Sequence, residues 1–344
     1  MPKSEEDKVK IGKYKTENAS VTRAPVEIDG EGMTAAVRAQ EATVEVLSHI
    51  YEKSLPGGED CGDQQDTLKL LFRGLSIPLA NTLRRLLISE VPVMAFDSVV
   101  IEENEGVVFD ESLSHRIGLV PIQCDPDQFE FVKDIAMYDS PHASPAHFLK
   151  FTLNVVAEND LTSVYSGDLK WVPLPGQEKL YSLNVKPVNE KILLCKLAKG
   201  RKLSLCAYAV KGIGLNHAKW SPVSCSTYKL RPQVEVNPRS PKISEETASC
   251  IVRNCPVNVF ELEDSGKIRV ANPDACTGCR ECIREAADEE EPPILLARNK
   301  NELIFTIESI GQLSAMNIIE KALKNFATHC EYLNELIESN VQKV

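Results

Sequence analysis

An α+β fold is what this sequence predicts, on three observations. Leucines recur at helical spacing around residue 80, the middle of the chain carries short β-branched runs broken by Pro, Gly and Asp, and the C-terminal region returns to one long apolar helical stripe. At 344 residues the chain exceeds the roughly 100–200 residues of one domain, so one large or two medium domains with a sizeable core are expected. Hydrophobic residues make up 43% and charged residues 26%, which excludes a wholly disordered or fibrous chain. A net charge of −11 argues against broad contact with phosphate backbones or anionic lipid. No run approaches the ~20 apolar residues of a spanning helix. Met1–Lys15 is too charged for a signal peptide, so a soluble, intracellular protein without a membrane partner is expected.

Taken in order, residues 1–66 read as an acidic, mobile arm, polar at KSEEDK and again at LPGGEDCGDQQD, with Thr34–Tyr51 at the spacing of one amphipathic helix. Leu68–Phe72 has the apolar density of a strand. In SIPLANTLRRLLISE, Leu79, Ala80, Leu83, Leu86 and Leu87 fall at helical spacing, with Ser76 suited to the N-cap and Pro78 to the first turn. Pro92 ends that helix, and PVMAFDSVVIEEN returns to strand composition. Beyond SLSHRIGLVP helical periodicity is lost, and His147–Val156, Leu169–Pro173, Ile192–Leu194 and Leu203–Val210 read as strands of a β-rich middle domain. Composition breaks at DEEEPP, Glu302–Ser309 reads as a further strand, and a long helix runs from Ser314 to about Asn340. On it Ile319, Leu323, Phe326, Cys330, Leu333 and Ile337 keep the 3.5-residue period of a packed seam, while Glu320, Lys321, Lys324 and Asn325 lie off it. Such a stripe serves equally to cap the chain's own core or to pack on a partner subunit, and periodicity does not separate the two.

Of eleven cysteines, Cys61, Cys124, Cys195, Cys206, Cys225 and Cys330 are scattered singly and read as free thiols. The other five lie between Cys250 and Cys282, a clustering that points to metal or redox chemistry in a long intracellular chain. Cys276, Cys279 and Cys282 have the C-x-x-C-x-x-C spacing of a ferredoxin loop, which wraps three thiolates around a cubane while a Cys-Pro elsewhere supplies the fourth; Cys255–Pro256 is that fourth. No Cys-Pro follows Cys282, where Ala286 takes the expected position, so one [4Fe–4S] cluster is the most the region should hold. A zinc site would use the same thiolates, although zinc sites usually pair two separate knuckles, and a third reading leaves the loop empty. Cys250 is a spare. Around His115, Arg116, His217, Lys219 and Trp220 there is no nucleophile elbow, phosphate loop or paired-carboxylate motif, so structural roles and no catalytic residue are expected. An electron carrier would need a second cluster or a dinucleotide fold, and no Gly-rich fingerprint follows any strand.

NTLRRLLISEVP at Asn81–Pro92 followed by DESLSHRIGLVPI at Asp110–Ile122 closely resembles the signature of the alpha-type assembly subunits of cellular RNA polymerases. VKGIGLNHAKWSPV at Val210–Val223 looks like a loop of their archaeal and eukaryotic versions, and with IFTIESIG at Ile304–Gly311 and the last helix the resemblance runs from about Thr67 to the end. Within the family, QCDPDQFEF at Gln123–Phe131 and KGIG at Lys211–Gly214 look more like members shared by nuclear RNA polymerases I and III than like the RNA polymerase II member; an arm like residues 1–66 would be unusual in an archaeal counterpart.

The resemblance implies a dimerisation domain built from residues 67–115 and 299–344, and an inserted β-rich domain at 116–298 with a ferredoxin-like segment at about 245–290. It implies heterodimerisation with a smaller alpha-like subunit through Leu79, Leu83 and Leu87 on the first helix and Ile319, Leu323, Phe326, Cys330, Leu333 and Ile337 on the last. Arg84 and Arg85 match positions that face the second-largest subunit, where a guanidinium fork suits carboxylates and carbonyls. The largest subunit and small zinc-binding subunits would complete the assembly. Catalysis would belong to the large subunits, the location would be the nucleus, both nucleolus and nucleoplasm, and no direct sequence-specific nucleic-acid binding is implied.

Overall fold

The computed structural model describes residues 8–13, 16–17, 42–52, 65–132, 144–177, 185–238, 244–263, 265–284 and 292–341. Along the first half the elements are β1 (Lys8–Ile11), β2 (Thr16–Glu17), β3 (Thr43–Glu52), β4 (Gln65–Arg73), α1 (Ile77–Ser89), β5 (Val93–Asn104), α2 (Asp110–Gly118), β6 (Ile122–Gln123) and β7 (Phe148–Val156). The second half continues with β8 (Leu161–Tyr165), β9 (Lys170–Val172), β10 (Lys186–Pro187), β11 (Leu193–Ala198), β12 (Lys202–Gly212), β13 (Val223–Val236), α3 (Glu245–Asn254), β14 (Phe260–Leu262), β15 (Ile268–Val270), α4 (Glu281–Arg284), β16 (Ile294–Ser309) and α5 (Ala315–Val341). The chain divides into two compact units, one of Met1–Glu45, Leu70–Ile77 and Tyr228–Phe305, the other of Val46–Lys69, Pro78–Thr227 and Thr306–Val344.

In the second unit a four-stranded antiparallel sheet has the order β5-β12-β7-β9. Strand side chains alternate between faces, and the core divides accordingly. Met94, Phe96, Leu149, Phe151, Leu153, Leu203, Leu205 and Ala207 pack on one face with Leu113 and Ile117 of α2. Val93, Ala95, Phe148, Tyr208, Val210 and Trp220 pack on the other. Phe96 meets Phe151 edge to face at 5.0 Å. Helix α1 buries Ala80, Leu83, Leu86 and Leu87. Each buried leucine contributes roughly 1.5–3 kcal/mol. Beyond α1, the Leu215 N–H donates to the Ser89 carbonyl at 2.9 Å. Gly214 lies so close that a Cβ there would sit 2.2 Å from the Ile88 carbonyl oxygen, so the second glycine of KGIG is required by backbone approach.

The first unit holds β1, β2 and most of β16, strands of a sheet whose order is β2-β1-β16-β4-β3, with β13 also pairing with β16. Its core joins Ala248 and Ile251 of α3 to Val259, Phe260, Ile268, Ile283, Ile294 and Leu296. Arg231 spans the unit's polar side, its Nε and Nη2 donating to both carboxylate oxygens of Asp274 at 2.8 and 3.1 Å.

Several elements differ from the sequence reading: β1 and β2 are paired strands within residues 1–66, read as a mobile arm, and two further differences follow. Thr43–Glu52 is strand β3, not the C-terminal part of a helix over Thr34–Tyr51; residues 34–41 lie outside the described residues. Thr43, Val44, Val46 and Ile50 are β-branched, and such side chains lose rotamer freedom in a helix but fit a pleated strand. Helix α2 occupies DESLSHRIG, where no helix was read, with Asp110 and Glu111 in its first turn and His115 and Arg116 in its last, which complements the helix dipole. Nearly all of the acidic stretch LPGGEDCGDQQD, Cys61 included, lies outside the described residues, as does Ala286.

Candidate dimerisation face and cysteine centre

Helix α5 begins under polar control. The Asp66 carboxylate of β4 is buried and accepts the Ala315 N–H at 2.8 Å. Its other oxygen meets His49 Nε2 at 2.8 Å. Ser314 Oγ accepts the Asn317 N–H at 3.3 Å, so two of the first-turn donors are satisfied by side chains. Ala315, Ile318, Ile319 and Ala322 are then buried in this chain's own core. Farther along, Asn325 donates to the Glu90 carbonyl at 3.2 Å. Lys321 pairs with Asp127 and lies 3.7 Å from Asp125, joining the helix to the QCDPDQ turn.

From Leu323 onward the apolar face has no cover among the described residues. Leu323 is 51% exposed, Leu333 56% and Ile337 61%, with Tyr332 and Leu336 beside them. Phe326 is half-buried and Cys330 exposed. On α1, Leu79 is 49% exposed, whereas Leu83 and Leu87 are buried within the chain, as is Ile319 on α5. A contiguous exposed apolar stripe of this kind marks a protein interaction surface. Arg84 is half-buried and donates to Asn81 Oδ1 at 3.1 Å; Arg85 is exposed. In NHAKW, Lys219 pairs with Asp97 at 2.7 Å and lies 4.2 Å from the centre of the Trp220 ring, while Arg116 of SHRIG donates to the Leu193 carbonyl. These are packing roles.

The cysteine centre lies in the first unit. Helix α3, capped by Ser244 Oγ accepting the Thr247 N–H, ends at Cys255. Cys255 Sγ accepts the Val259 N–H at 3.3 Å. The loop after β15 brings in Cys276, turns at Gly278 and Arg280 with φ of +76° and +70°, and enters the short α4 that carries Cys282. Cys255, Cys276, Cys279 and Cys282 together line one small pocket with Val257, Val259, Phe260 and Leu296. Cys250 is apart from it, its sulfur accepting from Asn254 Nδ2 at 3.3 Å.

Electrostatics sets the protonation of this pocket. Burial first, then the neighbouring sulfurs of Cys276, Cys279 and Cys255, push the Cys282 thiol up to about 12. Burial also raises Cys276, opposed by the Gly278 backbone N–H and reinforced by Cys279 and Cys255. Thiols lining one pocket, with backbone N–H donors beside them, are the residue types that a thiolate-bound metal or iron–sulfur group takes. Among the described residues no three His, Cys, Asp or Glu side chains are grouped as they stand to hold a metal ion. Sequence reasoning found the four thiols but missed Asp66, Lys321 and Arg280, whose roles depend on partners far along the chain and leave no local signal.

The chain matches the family model described as the RNA polymerase Rpb3/Rpb11 dimerisation domain over residues 69–330. It is similar to the DNA-directed RNA polymerases I and III subunit rpac1 of Dictyostelium discoideum, at 36% identity over 278 residues and 78% of each chain. Similarity to the human DNA-directed RNA polymerases I and III subunit RPAC1 is 32% over 287 residues, 79% of this chain and 82% of that one. The Dictyostelium discoideum RNA polymerase II subunit rpb3 is 31% identical over 271 residues, 76% of this chain and 88% of that one. By this match and these similarities the chain belongs to the Rpb3/Rpb11 dimerisation-domain family of RNA polymerases.

Proposed function

We propose that the chain is the alpha-like subunit shared by nuclear RNA polymerases I and III, a non-catalytic scaffold in the nucleus, nucleolus and nucleoplasm alike. It pairs with a smaller alpha-like subunit through Leu79 of α1 and the distal face of α5, and the pair then receives the second-largest and largest subunits and small zinc-binding subunits. Arg84 and Arg85 dock the second-largest subunit. The observation that carries this reading is the exposed seam from Leu323 to Ile337 in a chain of this family. Within one organism, similarity is 36% to the polymerase I and III subunit and 31% to the polymerase II subunit, which supports the assignment to I and III. The test is affinity purification of the tagged chain from its own cells. Recovery of the small alpha-like subunit together with the largest subunits of polymerases I and III is expected. Recovery of the polymerase II largest subunit instead would overturn the assignment.

Cys255, Cys276, Cys279 and Cys282 hold one [4Fe–4S] cluster in this reading, with a structural role. The packing of three cysteines within one short loop, and the pocket all four line, support it. Bound there, the group would supply the positive charge that four thiolates need. Iron, sulfide and zinc analysis after anaerobic purification tests it: about four irons per chain, lost in Cys279→Ser, is expected. One zinc would make the site a structural knuckle, and no metal would leave the loop empty.

A further inference from the structure

The N-terminal hairpin lies against the apolar cluster that surrounds the cysteine pocket. Strand β1 pairs antiparallel with β16 in the register Lys8↔Asn299, Val9↔Arg298, Lys10↔Ala297 and Ile11↔Leu296. Leu296, the partner of Ile11, itself lines the pocket. Ile11 packs on the apolar cluster that contains Cys255 and Cys282, with Cys276 at its margin. At the tip of the cysteine loop, a Cβ on Gly278 would lie 3.7 Å from Ile11 Cδ1, an ordinary contact distance, and 2.8 Å from the flexible end of Arg298, so the loop tip lies beside the hairpin. Two hydrogen bonds fasten the loop. Arg298 donates to the Thr277 carbonyl at 3.0 Å, and Arg280, in the left-handed region at φ +70°, donates to Thr16 Oγ1 of β2 at 2.8 Å.

We propose that this hairpin is a lid beside the cysteine pocket, whose seating governs access to Cys276 and Cys282. The inference deepens, and rests on, the reading of those cysteines as one ligand set. Strand β1 has four residues, and β2 contributes two more through Lys10↔Glu17 and Ile11↔Thr16. A segment so short, held at a sheet margin, opens locally at far less cost than the unit unfolds. Helix α3 and the β14–β15 hairpin keep their own contacts when it lifts. What opening uncovers is Ile11's side of the pocket, where Cys276 is half-buried and Cys282 buried. The lid therefore limits the approach of water and oxidants to Cys276 and Cys282, while Cys279 stays exposed, and it supplies no ligand.

The experiment uses the full chain in complex with its small partner. Each cysteine's alkylation by iodoacetamide is mapped by mass spectrometry, with and without prior treatment by an iron and zinc chelator, and metal content is measured on the same samples. Ile11→Asp should raise labelling of Cys276 and Cys282 about tenfold after chelation, and Thr16→Val, which removes only the Arg280 acceptor, about threefold. Cys195, buried in the sheet core of the other unit, is the internal reference and should not change. Equal labelling in wild type and both variants overturns the lid, and so does a parallel rise at Cys195, which would mean general unfolding. Wild type without metal, but with the variant effect intact, overturns the ligand set and leaves the lid standing.

Discussion

The two ends of helix α5 carry the same apolar period and meet opposite fates. Its first two turns bury Ala315, Ile318, Ile319 and Ala322 in the chain's own core, whereas beyond them Leu323, Leu333 and Ile337 are each more than half exposed. Nothing in the residue types distinguishes the halves, since Ile, Leu and Ala serve equally in a core or an interface. The difference is supplied by what the rest of the chain brings: Asp66 at the first turn, Lys321 bound to the QCDPDQ turn, and Asn325 and His329 beside Glu90 just past α1, while the distal apolar side chains have no cover among the described residues. One helix is thus half structural element and, in the proposed reading, half binding surface. Folding free energy is invested in the first half, and association free energy is available from the second.

Substitutions that separate the halves sharpen this comparison. The largest expected effect is on association: Leu323→Asp with Phe326→Asp places charges where a partner must bury apolar surface, each costing several kcal/mol, and should abolish heterodimer formation in size-exclusion chromatography. The melting temperature of the isolated chain should hardly move. Undiminished pairing would show that this face is not the interface. In the proximal half the pattern reverses, with Ile318→Ala lowering the chain's own stability by about 3 kcal/mol in denaturant unfolding. A smaller loss, about 1–2 kcal/mol, is expected for Asp66→Ala, which removes the buried cap. Smallest is the exposed Lys186–Glu190 pair at 2.9 Å, which sets the floor for the others. Its lysine holds the Glu190 carboxyl below the usual range, so the contribution is present above that range and is lost as pH falls through the lowered value. Lys186→Ala should cost no more than about 0.5 kcal/mol at neutral pH and nothing in strong acid.

Much of this architecture was legible because it rests on local periods. The 3.5-residue spacing from Ile319 to Ile337 located α5 to within a residue at either end, and the β-branched composition of PVMAFDSVVIEEN located β5. The cysteine spacing named the four pocket residues, because the thiols that converge are close in sequence or flanked by a telling Pro. What was illegible depends on distance along the chain. Strand β1 finds its partner at Leu296–Asn299, and no pattern in KVKI announces that. Helix α2 was missed since only Leu113 and Ile117 face the core, too few for a period. Burial of Leu83 and exposure of Leu79 on one helix face are likewise decided by neighbours and not by leucine.

The bond from Ala315 to Asp66 joins positions 249 residues apart. Such a contact is expensive in loop entropy and forms late. At ~5–20 residues per second of synthesis, Asp66 leaves the ribosome on the order of ten to fifty seconds before the helix start it caps exists. Throughout that interval β4 presents an acidic group and apolar neighbours, Leu68 among them, with no helix to receive them. If the distal face of α5 is the partner's surface, it is framed only after that interval, so that pairing follows the capping of α5 by Asp66, and the interval before it is when a chaperone has most to protect.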